Sequence, residues 1–251
     1  MFNEKVIVSV AVNAGEAILR FYDDPIEVEH KSDDSPLTKA DLAAHHVIVD
    51  GLKTETPDVP IISEEGGIAE YSERKEWKQY WLVDPLDGTK EFIKKNGEFT
   101  VNIALIENNV PVFGVVHIPA TGVTYVGDQS KGSFKINEHG TRRRINSEVP
   151  DLNKPVRVVC SRSHGSSDME KVLAEKGIKI SEKVPAGSSL KFCLLAEGKA
   201  DVYPRLGPTM EWDTGAGDAV FRYSSRQGSR ISPITYNKKN MLNDGFIIGD
   251  K

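Results

Sequence analysis

The chain has 251 residues, 39% of them hydrophobic and 27% charged, and a formal net charge of −5. That is enough apolar material for one large domain or two closely packed ones, and the acidic balance excludes broad binding to the phosphate backbone of a nucleic-acid polymer. Cys160 and Cys193 are the only cysteines and form no CxxC pair, which excludes a disulfide framework and fits a reducing compartment.

In chain order, Val6, Val10, Ala14, Ile18 and Phe21 recur at helical spacing and predict an amphipathic helix over 3–22. Glu4, Lys5, Glu16 and Arg20 interrupt its apolar character, so it reads neither as a signal peptide nor as a membrane span. No later window is apolar for long enough to cross a bilayer, and the expected location is the cytoplasm. Asp23-Asp24-Pro25 ends the helix, Val28 to Lys31 reads as a short strand, and a polar loop runs over 31–36. Thr38 or Ser35 would cap a second helix reaching about Thr54, with Leu42, Val47, Ile48 and Leu52 towards the core. Asp41 sits in its first turn, where the helix dipole alone would favour an acid. Val59 to Ser63 is a short strand whose end carries Glu64 and Glu65, and Ala69 to Lys78 is a charged connection or short helix.

The densest chemistry lies next. Tyr80 to Val83 reads as the end of a buried strand, followed by Asp84-Pro85-Leu86-Asp87-Gly88-Thr89. Pro85 fixes its own φ and pushes Asp84 out of the helical region, which predicts a sharp turn as the chain leaves the sheet. Such a turn aims Asp84, Asp87 and the Leu86 carbonyl at one point. Two close carboxylates repel unless a cation or a proton separates them, and a hard divalent cation such as Mg2+ takes oxygen ligands of this kind. Gly88 lets the backbone approach a bound group, and free amides beyond it suit a phosphate. Taken alone, the same string is an ordinary acidic turn.

Phe99 to Ile106 and Val110 to Ile118 flank Glu107-Asn108-Asn109 and predict a hairpin, which Val123 to Val126 and Gly132 to Ile136 extend into a meander. Arg142-Arg143-Arg144 reads as solvated surface. From about residue 155 strands and helices alternate: strand Val156 to Cys160, helix Ser166 to Lys176, strand Ile178 to Val184, helix Ser188 to Glu197 after Gly187, and strand Ala200 to Arg205. A boundary within 149–155 would divide an α+β unit at 1–150 from an α/β unit at 151–251. Asp213 precedes the small residues Thr214-Gly215-Ala216-Gly217, as a helix N-cap, a ligand or both.

Several chemistries fail on spacing. Aspartyl-phosphate enzymes need Asp-x-Asp, and aspartic proteases need two Asp-Thr-Gly triplets where this chain has one. Gly215 and Gly217 lack the third glycine and the strand of a dinucleotide fingerprint. The six histidines show no zinc spacing, and His45-His46 reads as helix surface.

Glu64-Glu65, Asp84 to Thr89 and Trp212 to Gly217 resemble, in order and separation, the three signatures of the inositol monophosphatase superfamily, and the resemblance runs over nearly the whole chain. It implies a layered αβαβα sandwich and lithium-sensitive phosphatase activity with two or three Mg2+ per site. Asp84 to Asn102, Ser161-Arg162-Ser163-His164, Gly187 to Cys193 and Tyr203-Pro204-Arg205 are similar to its bacterial 3'(2'),5'-bisphosphate nucleotidase branch, whereas Gly215 and Asp244 depart from the usual pattern. On this resemblance Glu64, Asp84 and the Leu86 carbonyl hold one Mg2+, and Asp84, Asp87 and Asp213 a second. Thr89, oriented by Asp41, positions the attacking water and takes its proton, with Glu64 as the third catalytic residue. Gly88 and Thr89 amides grip the phosphate; His164, Gly187, Ser188, Ser189, Lys191 and Arg205 join Glu64, Leu86, Asp87 and Asp213 around the substrate. The implied reaction releases the 3'-phosphate of adenosine 3',5'-bisphosphate to give AMP, and that of 3'-phosphoadenylyl sulfate to give adenylyl sulfate, recycling a by-product of sulfate assimilation. The implied partner is a small nucleotide bisphosphate, and the implied protein a monomer or homodimer, cytoplasmic or peripheral on the inner face of the membrane. Inositol monophosphatase activity, or a non-catalytic nucleotide sensor on the same fold, are the alternatives.

Overall fold

The N-terminal apolar periodicity produces α1 (Glu4–Leu19), whose Ile7, Val10, Ala11, Ala14 and Ile18 form one buried stripe. Asn3 caps it, accepting the Lys5 amide at 3.0 Å. The protein is seen here as a computed structural model that describes residues 2–23, 36–161, 166–225 and 230–250. The strand expected at 28–31, the capping Ser35 and His164 lie outside those residues. In α2 (Pro36–Glu55), Ala40, Ala44, Ile48 and Leu52 are buried one turn apart. Thr38 therefore lies inside this helix rather than at its cap, and Leu42, expected in the core, falls on the exposed face. Among the described residues no helix is long and apolar enough to cross a membrane.

Seven strands form one sheet in sequence order: β1 (Ile61–Ser63), β2 (Gln79–Asp87), β3 (Thr100–Glu107), β4 (Val110–Ile118), β5 (Val123–Asp128), β6 (Gly132–Ile136) and β7 (Arg142–Ile145). β1 runs parallel to β2 and every other pairing is antiparallel. Short helices α3 (Tyr71–Arg74) and α4 (Thr89–Ile93) flank β2. Both faces of the sheet are covered, so alternate residues of β2 enter different cores. Trp81 and Val83 pack with α1 and α2, while Tyr80 and Leu82 pack on the opposite side.

The second half supplies that opposite side. It comprises β8 (Val156–Cys160), α5 (Ser166–Glu175), β9 (Ile180–Pro185), α6 (Leu190–Ala196), β10 (Tyr203–Arg205), β11 (Thr209–Met210), α7 (Glu211–Arg222), β12 (Leu242–Asn243) and β13 (Phe246–Ile248). α7 lies across β2 to β5 beside α6, and β8 pairs in parallel with β9. Met169 and Leu173 of α5 close the far face against Val156 and Val158. The order of layers is thus α1–α2, large sheet, α6–α7, small sheet, α5. Glycines let α7 approach closely: a Cβ at Gly114 or at Gly127 would lie 2.5 Å from a main-chain oxygen of α7.

One expectation about the central motif is corrected. The chain does not leave the sheet at Asp84-Pro85: β2 continues to Asp87, and a bulge between Asp84 and Asp87 absorbs one extra residue. A bulge is where a strand tolerates a proline that cannot donate to the ladder. The reversal comes at Gly88, with φ +95°. The three arginines are exposed, as expected, and two of them are also paired. They form most of β7, where Arg142 pairs with buried Glu4 and stacks 3.8 Å over the Phe134 ring, and Arg143 reaches Glu197 on the other face.

Candidate active site

Three elements from both halves deliver acids to one place. The Glu64 amide donates to the Val83 carbonyl at 3.1 Å, prolonging the β1–β2 pairing by one residue, and a Gly66 amide to Ser63 carbonyl bond closes the turn that presents Glu64. Asp84 stands alongside on β2, only 1% exposed, with its Oδ1 accepting the Leu86 amide at 3.0 Å. Asp213 is the third residue of α7 rather than its N-cap; its Oδ2 reaches back to accept the Met210 amide at 2.9 Å. Carboxylate oxygens of Glu64, Asp84 and Asp213 all lie within 4.8 Å of one another.

This proximity has an electrostatic cost. Burial first, then the charges of Asp87, Glu64, Asp213 and Asp41, hold the Asp84 carboxyl well above the usual carboxylate range. Burial and the Asp87 charge push Asp213 up to about 7, against the Met210 amide, which acts in the other direction. Acids that raise one another in this way are relieved by a shared cation, and an all-oxygen donor set fits a hard divalent ion such as Mg2+.

Asp87, at the end of β2, is held differently. Its Oδ2 accepts Ser188 Oγ at 2.5 Å and Ser189 Oγ at 3.2 Å, just before α6. Neither serine side chain caps that helix; Ser189 occupies the cap position without a side-chain capping bond, and Ser188 has φ +48°. Gly88 follows Asp87, then Thr89 opens α4. Asp41 is near enough on α2 to act on Asp84, and α2 touches α4.

A cleft of about 330 Å³ opens beside these groups. Asp87, Gly88, Thr89 and Asp213 line one part of it, Gly187, Ser188, Lys191 and Arg205 another. The Lys191 ammonium is buried, donates to the Ser188 carbonyl at 2.6 Å and has its pKa lowered by desolvation; it is not a solvated surface lysine. Arg205 donates from Nη2 to the Pro208 carbonyl, while its buried Nε meets no partner among the described residues.

Some residues of the site escape sequence reasoning. Asn102 and Thr100 sit behind Asp87, and Glu98 Oε2 accepts the Gly187 amide at 2.8 Å. Thr100 and Asn102 do leave a trace, as hydrophilic positions within the otherwise apolar run of 99–106. His45, expected on the helix surface, is half-buried, with Nδ1 2.8 Å from Ser63 Oγ beneath the Glu64 turn; His46 is exposed.

Residues 3–224 match the inositol monophosphatase family, and the chain belongs to it. It is 48% identical over 248 residues, 96% of each chain, to the 3'(2'),5'-bisphosphate nucleotidase CysQ of Escherichia coli K12. Identity to the 3'(2'),5'-bisphosphate nucleotidase CysQ of Salmonella typhimurium is 52% over 216 residues, 85% of each chain. The crystal structure of CysQ from Bacteroides thetaiotaomicron, a bacterial member of the family, matches with a TM-score of 0.82 at 42% identity, covering 97% of this chain and 95% of that one. The layered αβαβα architecture is therefore that of the family.

Proposed function

We propose that the protein is a Mg2+-dependent 3'(2'),5'-bisphosphate nucleotidase that removes the 3'-phosphate of adenosine 3',5'-bisphosphate to leave AMP, and acts likewise on 3'-phosphoadenylyl sulfate. The observation that carries the reading is the convergence of Glu64, Asp84 and Asp213 within 4.8 Å, beside a cleft that also holds Lys191 and Arg205. Full-length similarity to nucleotidases supports the substrate class.

Glu64, Asp84, Asp213, Asp87 and the Leu86 carbonyl would hold two or three Mg2+. Bound there, the metal supplies positive charge to phosphate oxygens and acidifies water. The protein's own groups do the rest. Amides of Gly88 and Thr89 grip the phosphate, because the left-handed Gly88 and the start of α4 leave N–H groups unbonded within the helix. The Thr89 hydroxyl orients the attacking water and takes its proton while passing its own to the Asp41 carboxylate. Lys191 and Arg205 hold the remaining anionic group of the nucleotide, which a bare sugar monophosphate lacks. The sulfate-assimilation role, a cytoplasmic setting and a monomeric or homodimeric state belong to the same reading.

The test is release of inorganic phosphate from adenosine 3',5'-bisphosphate, with AMP identified as the other product. Activity should vanish with a chelator and return with Mg2+. Activity unaffected by chelation would overturn the reading.

A further inference from the structure

We infer that Ser188 and Ser189, backed by Thr100 and Asn102, are positioning residues for the Asp87 carboxylate rather than contacts for the nucleotide. The inference rests on the reading that Asp87 helps to hold the metal.

The β2 bulge sets the arrangement: it places Asp84 opposite Asn102 and Asp87 opposite Thr100. The two β3 side chains therefore stand beside the two acids. Thr100 Oγ1 lies 2.6 Å from Ser188 Oγ and donates to Asn102 Oδ1 at 3.1 Å. Asn102 Nδ2 donates to Ser189 Oγ at 3.0 Å and, more loosely, to Asp87 Oδ2 at 3.4 Å. Ser189 Oγ lies 2.9 Å from the Asp213 carbonyl.

Proton counting shows where the hydroxyls are committed. Each carries one hydrogen. Ser188 gives its hydrogen to Asp87, so Thr100 has one hydrogen for Ser188 Oγ or Asn102 Oδ1; Ser189 gives its own to Asp87 or to the Asp213 carbonyl while accepting from Asn102. The bonds that reach the Asp87 carboxylate all end on one oxygen, Oδ2, which leaves Oδ1 for a cation. Exposure points the same way: Thr100 is 0% exposed, Asn102 1% and Ser189 1%, so no nucleotide reaches them. Ser188 holds a left-handed φ of +48° that serine adopts infrequently, pinned by Asp87 on its side chain and Lys191 on its carbonyl. Because Ser189 Oγ stands within hydrogen-bond distance of both Asp87 and the Asp213 carbonyl, it packs the two acids, from opposite halves of the chain, around one hydroxyl.

Outer partners of metal ligands typically change metal affinity ~10–100-fold when removed. The experiment titrates Mn2+ and Mg2+ calorimetrically into substrate-free wild type and into Thr100→Val, Ser188→Ala and Ser189→Ala. It then measures KM for adenosine 3',5'-bisphosphate at saturating metal. Metal affinity should fall by about tenfold or more in each variant while KM stays within about twofold, and Thr100→Ser, which keeps the hydroxyl, should restore metal binding. Circular dichroism melts identify any variant that fails to fold, and Ser188→Ala, at the cleft wall, stands as the variant least coupled to the core. Unchanged metal affinity with a raised KM would overturn the inference alone. A wild type that binds no metal would overturn the metal reading of the site and this inference with it.

Discussion

A carboxylate oxygen of Asp84, buried on β2, lies within 4.8 Å of one from Asp213, in the first turn of α7. Neither acid is at ease there: burial and mutual charge raise both. A cation held between them would relieve that repulsion, and on the proposed reading removing one acid removes both the relief and the catalysis. Asp84→Asn is expected to cost several kcal/mol of transition-state stabilisation. Steady-state kinetics on the purified variant with Mg2+ saturating checks this; retention of more than about a tenth of wild-type kcat, a cost below about 1.4 kcal/mol, contradicts the metal assignment.

Thr89 has a separable role. Its hydroxyl is assigned to water rather than to metal, so Thr89→Ala should lower kcat by ~10²–10⁴-fold with Mg2+ affinity close to wild type. A variant with weakened Mg2+ binding and preserved kcat at saturating metal would place the hydroxyl on the ion instead.

The pH dependence of stability has a source away from the site. His117 is buried on β4 against Gly15 of α1, with Nδ1 2.9 Å from Thr124 Oγ1, and burial lowers its pKa from 6.5 to about 4. Between those values the unfolded chain binds a proton that the folded chain refuses, so stability is full above about 6.5 and falls as pH drops towards 4. The loss is on the order of 3 kcal/mol from this residue. Half-buried His45 acts in the same direction, while the raised Asp84 and Asp213 act in the opposite one, so the readout is the difference: in urea titrations His117→Gln should lose less stability than wild type between pH 6.5 and 4. Equal losses in the two would show that His117 is not the group.

Much of the fold was legible because hydrophobic period is a strong signal. The stripe of α1 and the hairpin of β3 and β4 emerge at nearly their expected bounds. Three kinds of feature were hidden. Pro85 reads as the end of a strand because a proline rarely sits within one, and only the bulge opposite Thr100 and Asn102 lets β2 run on. The β7 arginines look solvated because their partners, Glu4, Phe134 and Glu197, are remote or unremarkable in sequence. At the site, Asp84 and Asp87 stood out by their spacing and Glu64 and Asp213 through the family resemblance, whereas Thr100, Asn102 and Glu98 act only through contacts with residues 187–189. Cross-strand register and a loop nearly ninety positions away are invisible to a local reading.

On the proposed reading, Lys191 separates nucleotide from sugar recognition. Its ammonium lies in the cleft, buried, 5.8 Å from the centre of the Tyr203 ring. Lys191→Ala, assayed with Mg2+ saturating, should raise KM for adenosine 3',5'-bisphosphate and leave inositol 1-phosphate almost unaffected, since only the former carries the additional anionic group. An equal fall in kcat/KM for both would mean that the lysine serves the fold alone.

The most direct test of the whole account is the ratio of kcat/KM for adenosine 3',5'-bisphosphate to that for inositol 1-phosphate in the wild-type protein with Mg2+. If Lys191 and Arg205 hold a second anionic group, as proposed, the site should prefer the nucleotide by about two orders of magnitude or more. Equal use of the two substrates, or preference for inositol 1-phosphate, would contradict the nucleotidase assignment and leave the family fold alone standing.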